Sequence, residues 1–184
     1  SSQPSSQPTF QPSHTLKEIG DIATGSASLA TGFFIGATNY NIGFSVSNAG
    51  DVNGDGIDDM LVASPNLPWG SLQNAGITFV VFGRKGGFAS NFDIATMVTG
   101  RYTGFRIYGA AAQDMSGPSV GGAGDLNDDG IDDIIIGAPA AITNTGDAAG
   151  VSYVIYGHKI VSDAGAFPDT HLASLAAGPT TMVR

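Results

Sequence analysis

The stretch Ala49-Gly50-Asp51-Val52-Asn53-Gly54-Asp55-Gly56-Ile57-Asp58-Asp59-Met60-Leu61-Val62-Ala63-Ser64-Pro65 returns 74 residues later as Ala123-Gly124-Asp125-Leu126-Asn127-Asp128-Asp129-Gly130-Ile131-Asp132-Asp133-Ile134-Ile135-Ile136-Gly137-Ala138-Pro139. Ten of the seventeen positions are identical. In each copy, side-chain oxygens stand at positions 1, 3, 5 and 9: Asp51, Asn53, Asp55 and Asp59, then Asp125, Asn127, Asp129 and Asp133. Alternate residues of a tight loop can turn inward together, and a glycine at position 6 permits the bend. The carbonyls of Ile57 and Ile131 at position 7 add a ligand. Calcium is a hard cation that takes six to eight oxygens, so this donor set predicts two Ca²⁺ sites. An EF-hand opens in the same way but needs a bidentate Glu at position 12. Here position 12 is Val62 or Ile136, inside an apolar run, so the loop is predicted to join two strands. Asp58 and Asp132, at position 8, are expected to be solvated charges.

The likeness continues outward. Gly43-Phe44-Ser45-Val46 corresponds to Gly117-Pro118-Ser119-Val120, and Ala75 to Gly83 corresponds to Ala149 to Gly157. Upstream, Asp21-Ile22-Ala23-Thr24 is echoed by Asp93-Ile94-Ala95-Thr96, and a third unit starts at Leu172-Ala173-Ser174-Leu175. Internal periods of this kind define the architecture before any single motif does. The organisation is a Ser/Gln/Pro-rich tail over 1–15, a first unit over 16–91, a second over 92–165, and the start of a third, or a connector, over 166–184. The tail repeats every four residues with Pro4, Pro8 and Pro12 in register, which favours an extended, solvated chain or an O-glycosylated stalk.

Each unit carries strand signals. Met60-Leu61-Val62-Ala63 and Ile134-Ile135-Ile136 are short continuous apolar runs, as in strands buried on both faces. Thr78 to Phe82 and Ser152 to Tyr156 are rich in β-branched and aromatic residues. Phe33-Phe34-Ile35 and Phe105-Arg106-Ile107-Tyr108 add a strand each. Helical periodicity is confined to Ile19 to Leu29 and Asp93 to Val98. The expected fold is all-β: propeller-type blades of four antiparallel strands, two full repeats and part of a third, hence an incomplete propeller.

Composition narrows the function classes. The 184 residues carry 16 acids against 7 Lys and Arg, a net charge of −9, which disfavours nucleic acid. Fifteen of the acids are Asp and nine of them lie in the two loops. No apolar run approaches the length of a membrane span, so no direct membrane insertion is expected. The absence of cysteine rules out a disulfide framework and thiolate chemistry. No leader peptide is visible, which suggests a mature chain or a fragment. No Asn-x-Ser/Thr acceptor is present.

The pattern Gly-x-Ser-Val, then Asp-x-Asn-x-Asp-Gly-x-x-Asp, then a strand ending Gly137-Ala138-Pro139 resembles the FG-GAP repeat of integrin α-subunit propellers. The first unit has Ala63-Ser64-Pro65 in the last place, and the Phe-Gly element is reduced to Ile42-Gly43 and Ser116-Gly117. These departures spare the calcium ligands. The resemblance covers about 33–157 and implies a β-propeller with calcium between neighbouring strands of a blade, in an extracellular or cell-surface adhesion setting. It also implies no catalysis here, because enzymes of the family keep their catalytic residues outside the propeller.

The residues agree with a non-enzyme. His14, His158 and His171 have no partner at zinc spacing. Gly117-Pro118-Ser119-Val120-Gly121 fits the Gly-x-Ser-x-Gly nucleophile pattern formally, but its counterpart Gly43-Phe44-Ser45-Val46-Ser47 does not. A closed propeller takes roughly four to eight blades, and this chain supplies fewer. The expected partners are therefore other copies of the chain, in a ring or head-to-tail filament, or further blades of a longer chain. A protein or glycan ligand is an alternative, as is an accessory role in a secreted enzyme.

Overall fold

The computed structural model describes residues 32–38, 40–88, 91–142 and 149–176. The Pro-rich tail and the helical candidate Ile19 to Leu29 lie outside the described residues. The chain is nearly all β, as expected. Among the described residues ten strands appear in the order β1 (Phe34–Gly36), β2 (Ser45–Gly50), β3 (Asp59–Ser64), β4 (Ile77–Val81), β5 (Asn91–Asp93), β6 (Gly104–Tyr108), β7 (Ser119–Gly124), β8 (Asp133–Ala138), β9 (Val151–Ile155) and β10 (Thr170–His171). One short helix, α1 (Leu172–Ala176), follows β10. The helical signal near Asp93 to Val98 is a single 3-10 turn over Ile94–Thr96, capped by the Asp93 side chain on Ala95 N–H.

Strands β2, β3, β4 and β6 form an antiparallel four-stranded blade, with β10 added in parallel at the β6 edge. Strands β7, β8 and β9 repeat the first three strands as a second sheet. Blade and sequence repeat are out of phase, because the fourth strand of the first blade, β6, is drawn from the second sequence unit. The hairpins match in detail. Both β2–β3 and β7–β8 slip register just before the loop, between Asn48 and Gly50 and between Gly122 and Gly124. A bulge there increases the local twist and aims the loop.

The main core lies between the two blades. Leu61, Val80, Phe105 and Ile107 of the first face Ile134, Ile136 and Tyr153 of the second. The rings of Phe105 and Phe167 stack at 4.4 Å and seal one end of it. The opposite face of the first blade (Val62, Ile77, Phe79, Val81) packs on Ile94 and Met97, with Ile35, Tyr40, Ile42 and Phe92 at the margin. The inner strands β2 and β7 lie side by side. Gly122 permits this, since a Cβ there would stand 3.0 Å from the Asn48 carbonyl oxygen. Ser45 also donates its hydroxyl to the Gly117 carbonyl at 2.6 Å.

Candidate metal-binding loops

Both Asp-rich segments join adjacent antiparallel strands of a blade, β2 to β3 and β7 to β8. Four backbone-to-side-chain hydrogen bonds recur in both, and the second loop adds one from Asn127 Nδ2 to Asp129 Oδ2 at 2.9 Å, where the Asn53 amide nitrogen of the first is buried without a partner. In the first loop, Asp51 Oδ1 accepts from Asp55 N–H at 3.0 Å and Oδ2 from Gly56 N–H at 2.8 Å. Asn53 Oδ1 accepts from Asp55 N–H at 2.9 Å, and Asp55 Oδ1 from Ile57 N–H at 2.9 Å. In the second, Asp125 accepts from Asp129 and Gly130 at 3.0 and 2.7 Å, Asn127 from Asp129 at 3.1 Å, and Asp129 from Ile131 at 3.0 Å. Positions 1, 3 and 5 are thus folded over the turn, each with oxygen lone pairs to spare.

The position-9 carboxylates have a further task. Asp59 is buried and accepts from Val52 N–H at 3.1 Å and from Gly83 N–H, beyond the end of β4, at 2.8 Å. Asp133 repeats this with Leu126 N–H at 2.8 Å and Gly157 N–H at 2.9 Å. Each ties its loop to the end of the third strand. Burial pushes the Asp59 carboxyl up to about 7, helped by the charges of Asp55 and Asp51 and opposed by its two backbone donors. An ionised Asp59 is therefore electrostatically uncomfortable beside its own loop, and a cation would relieve it.

Among the described residues, no three acidic or imidazole side chains already converge tightly enough to grip a metal. The donors are nevertheless all hard oxygen, on a backbone already turned around them, which fits Ca²⁺ better than a softer ion. Asp51, Asn53, Asp55 and Asp59 would hold one ion with the Ile57 carbonyl. Asp125, Asn127, Asp129 and Asp133 would hold another with that of Ile131. Such ions would neutralise the loops and brace the strand connection.

Two features escaped the sequence. Asp132 is not a free solvated charge: its Oδ2 accepts from Asp51 N–H at 2.9 Å, so it caps the other loop across the blade boundary. That bond spans 81 residues of chain, and no local pattern announces it. Asp58, its counterpart, remains exposed. Second, Asp169 gathers Thr99 Oγ1 at 2.5 Å, Arg106 N–H at 2.8 Å, the Arg106 guanidinium at 3.3 Å and Tyr108 Oη at 3.2 Å. Burial raises its pKa, but the Thr99 and Arg106 donors and the guanidinium charge outweigh that and hold it below the ordinary carboxylate value. Beside this cluster, a concavity of about 380 Å³ is lined by Trp69, Tyr108, Arg106, Tyr40 and Phe79. Trp69 stacks on Tyr108 at 3.9 Å. Ser119, the formal nucleophile candidate, opens strand β7 with no helix behind it.

Among the described residues no helix is long and apolar enough to cross a membrane. Comparison with known proteins matches the FG-GAP repeat over residues 42–81 and 116–155, which are the hairpins with their loops and third strands. The chain is 30% identical over 154 residues to phosphatidylinositol-glycan-specific phospholipase D of Dictyostelium discoideum, covering 78% of this chain and 16% of that protein. It is 30% identical over 103 residues to integrin alpha-2 of Mus musculus, covering 56% of this chain and 8% of that one. The chain therefore spans a small part of either relative. Residues 42–81 and 116–155 are thus two FG-GAP repeats.

Proposed function

We propose that the chain is a calcium-stabilised, extracellular FG-GAP module with a structural or adhesive role, without catalysis of its own, that assembles with other copies of itself. The observation that carries the calcium reading is the duplicated hydrogen-bond frame, which holds the same oxygen donors in two places. Extracellular calcium modules bind at roughly 10⁻⁴–10⁻³ M, so calcium outside cells would fill such loops. Calorimetric titration tests this. Two ions per chain are expected, Asp55→Ala and Asp129→Ala should each remove one, and a chelator should lower the melting temperature. A melting curve indifferent to chelation overturns the calcium reading.

A second reading is a ligand-binding piece of a larger integrin-like propeller. The kinship with integrin alpha-2 favours it, and the Trp69–Tyr108 concavity offers an aromatic floor for a protein or glycan ligand. An accessory role in a secreted enzyme is the weaker option, supported by the phospholipase D relative alone.

A further inference from the structure

The two units contain each other's missing contacts. Strands β6 and β10 pair in parallel with Ile107 opposite Thr170 and Tyr108 opposite His171. Strands β1 and β5 pair in parallel with Ile35 opposite Phe92 and Gly36 opposite Asp93. Gly32-Phe33-x-Ile35 matches Gly104-Phe105-x-Ile107, so β1 and β5 reproduce β6 and β10 in the same register. The other edge of β6 is taken by β4, whereas among the described residues no strand takes the other edge of β1. Conversely, β9 is the counterpart of β4, and among the described residues nothing pairs with its outer edge.

Other contacts point the same way. Gly104 has no room for a Cβ against the Val80 carbonyl, while Gly32 keeps the glycine in open space. Val120 packs into the core beneath β2, while its counterpart Val46 is 66% exposed. Val46 borders an apolar cleft of about 410 Å³ shared with Ile35, Ile42, Met60 and Val62. On the far blade, Ile135 and Val154 are 39% and 37% exposed where their counterparts Leu61 and Val80 are fully buried. Asp132 caps Asp51 across the blade boundary, while Asp58 and the equivalent loop start at Asp125 are both exposed.

We infer that β1 of one copy completes the second blade of another, pairing antiparallel with β9 in the register β4 uses with β6. This rests on the self-assembly part of the reading above and names its interface. The register places Val151 opposite Gly36, Ser152 opposite Ile35 and Val154 opposite Phe33 of the neighbour, by analogy with Ile77–Tyr108, Thr78–Ile107 and Val80–Phe105. Ile135 and Val154 of the copy that supplies β9 then cover the cleft at Val46 and Met60 of the copy that supplies β1, whose Asp58 caps the Asp125 N–H of the former. The interface is heterologous, so it propagates head to tail and closes only if the rotation allows.

Because the natural chain has no cysteine, engineered thiols report the register cleanly. Paired strands bring Cα atoms within disulfide reach. Ile35→Cys and Ser152→Cys chains, each checked for native circular dichroism, are mixed in calcium and oxidised. The mixture should give covalent dimers at least several-fold above either variant alone, and above Ile35→Cys mixed with Val154→Cys, which is two residues out of register. Sedimenting oligomers without in-register cross-linking overturn the strand pairing and leave self-assembly standing. A chain that sediments as a monomer in calcium overturns both.

Discussion

The two blades share a hairpin, a loop and a third strand, yet their counterparts live in different surroundings. Strand β4 is buried along its whole length, whereas its repeat β9 buries only Tyr153 and exposes Ser152 and Val154. Asn53 is buried in the first loop, while Asn127 is exposed in the second. The four backbone-to-side-chain bonds of the turn are nevertheless the same in both loops. The frame of the repeat is therefore set locally, by the Asp-x-Asn-x-Asp-Gly turn and its position-9 staple. Burial is set by what lies alongside: β6 and the second blade against the first, and less against the second.

Position 4 of the loop shows how neighbours select sequence. It takes a left-handed backbone in both copies, with φ near +70° at Gly54 and +60° at Asp128. Asp tolerates that conformation at moderate expense. In the exposed second loop it has space to do so. In the first, a Cβ on Gly54 would stand 3.1–3.2 Å from Lys159, including its Cα. The crossing segment would have to give by a few tenths of an ångström to admit a side chain there.

The largest break in the comparison should come from the sheet interiors. Leu61→Ala should cost about 2–5 kcal/mol, because it leaves a cavity in the core between the blades. Ile135→Ala, the same position in the second blade and partly exposed, should cost about 1 kcal/mol or less in dilute monomer. Urea unfolding of the two variants measures the gap, and equal losses would mean that the outer face of the second blade is covered.

The staples should behave alike where the strands do not. Asp59→Ala strips two buried N–H groups of their acceptor, and Asp133→Ala one buried and one partly buried, at about 1–3 kcal/mol per orphaned group. Similar losses of roughly 3 kcal/mol in chelator are expected from both. A much smaller loss at Asp133 would show that the second loop does not hold its blade together.

Next comes the pair of αL positions. Gly54→Asp should destabilise by roughly 1–3 kcal/mol through crowding, while Asp128→Gly should stay within about 0.5 kcal/mol. Thermal melts of the two reciprocal variants decide whether Lys159 packs as tightly as described.

The smallest effect concerns the clamp between β6 and the segment leading to β10. The depressed pKa of Asp169 means that its contribution is present above the ordinary carboxylate pKa and is lost as pH falls through the lowered folded value. Because the pair with Arg106 is partly exposed, Asp169→Asn should cost about 1 kcal/mol at neutral pH. The difference from wild type should shrink and vanish as pH falls below the ordinary carboxylate range. A difference independent of pH would assign the loss to packing instead of charge.

Much of this was legible in the residues. The duplicated loop, with Val62 and Ile136 where an EF-hand needs Glu, placed a turn between two strands, and the apolar runs after Asp59 and Asp133 became β3 and β8. The loop donors were readable because alternate oxygens around a glycine bend form a local pattern. Less was legible wherever partners come from afar. Asp132 reads as a surface charge until the other blade is set beside it. Asp169 reads as a lone acid until Thr99 and Arg106 surround it.

The sequence by itself determined the strand segments, the period and the chemistry of the loops, because these depend on residues within a few positions of one another. Only the tertiary structure decided that the fourth strand of the first blade comes from the second unit, and that β1 and β9 stand as matching free edges among the described residues. Strand pairing uses backbone groups that every residue carries, so the choice of partner is made by packing and register, which arise when distant segments meet.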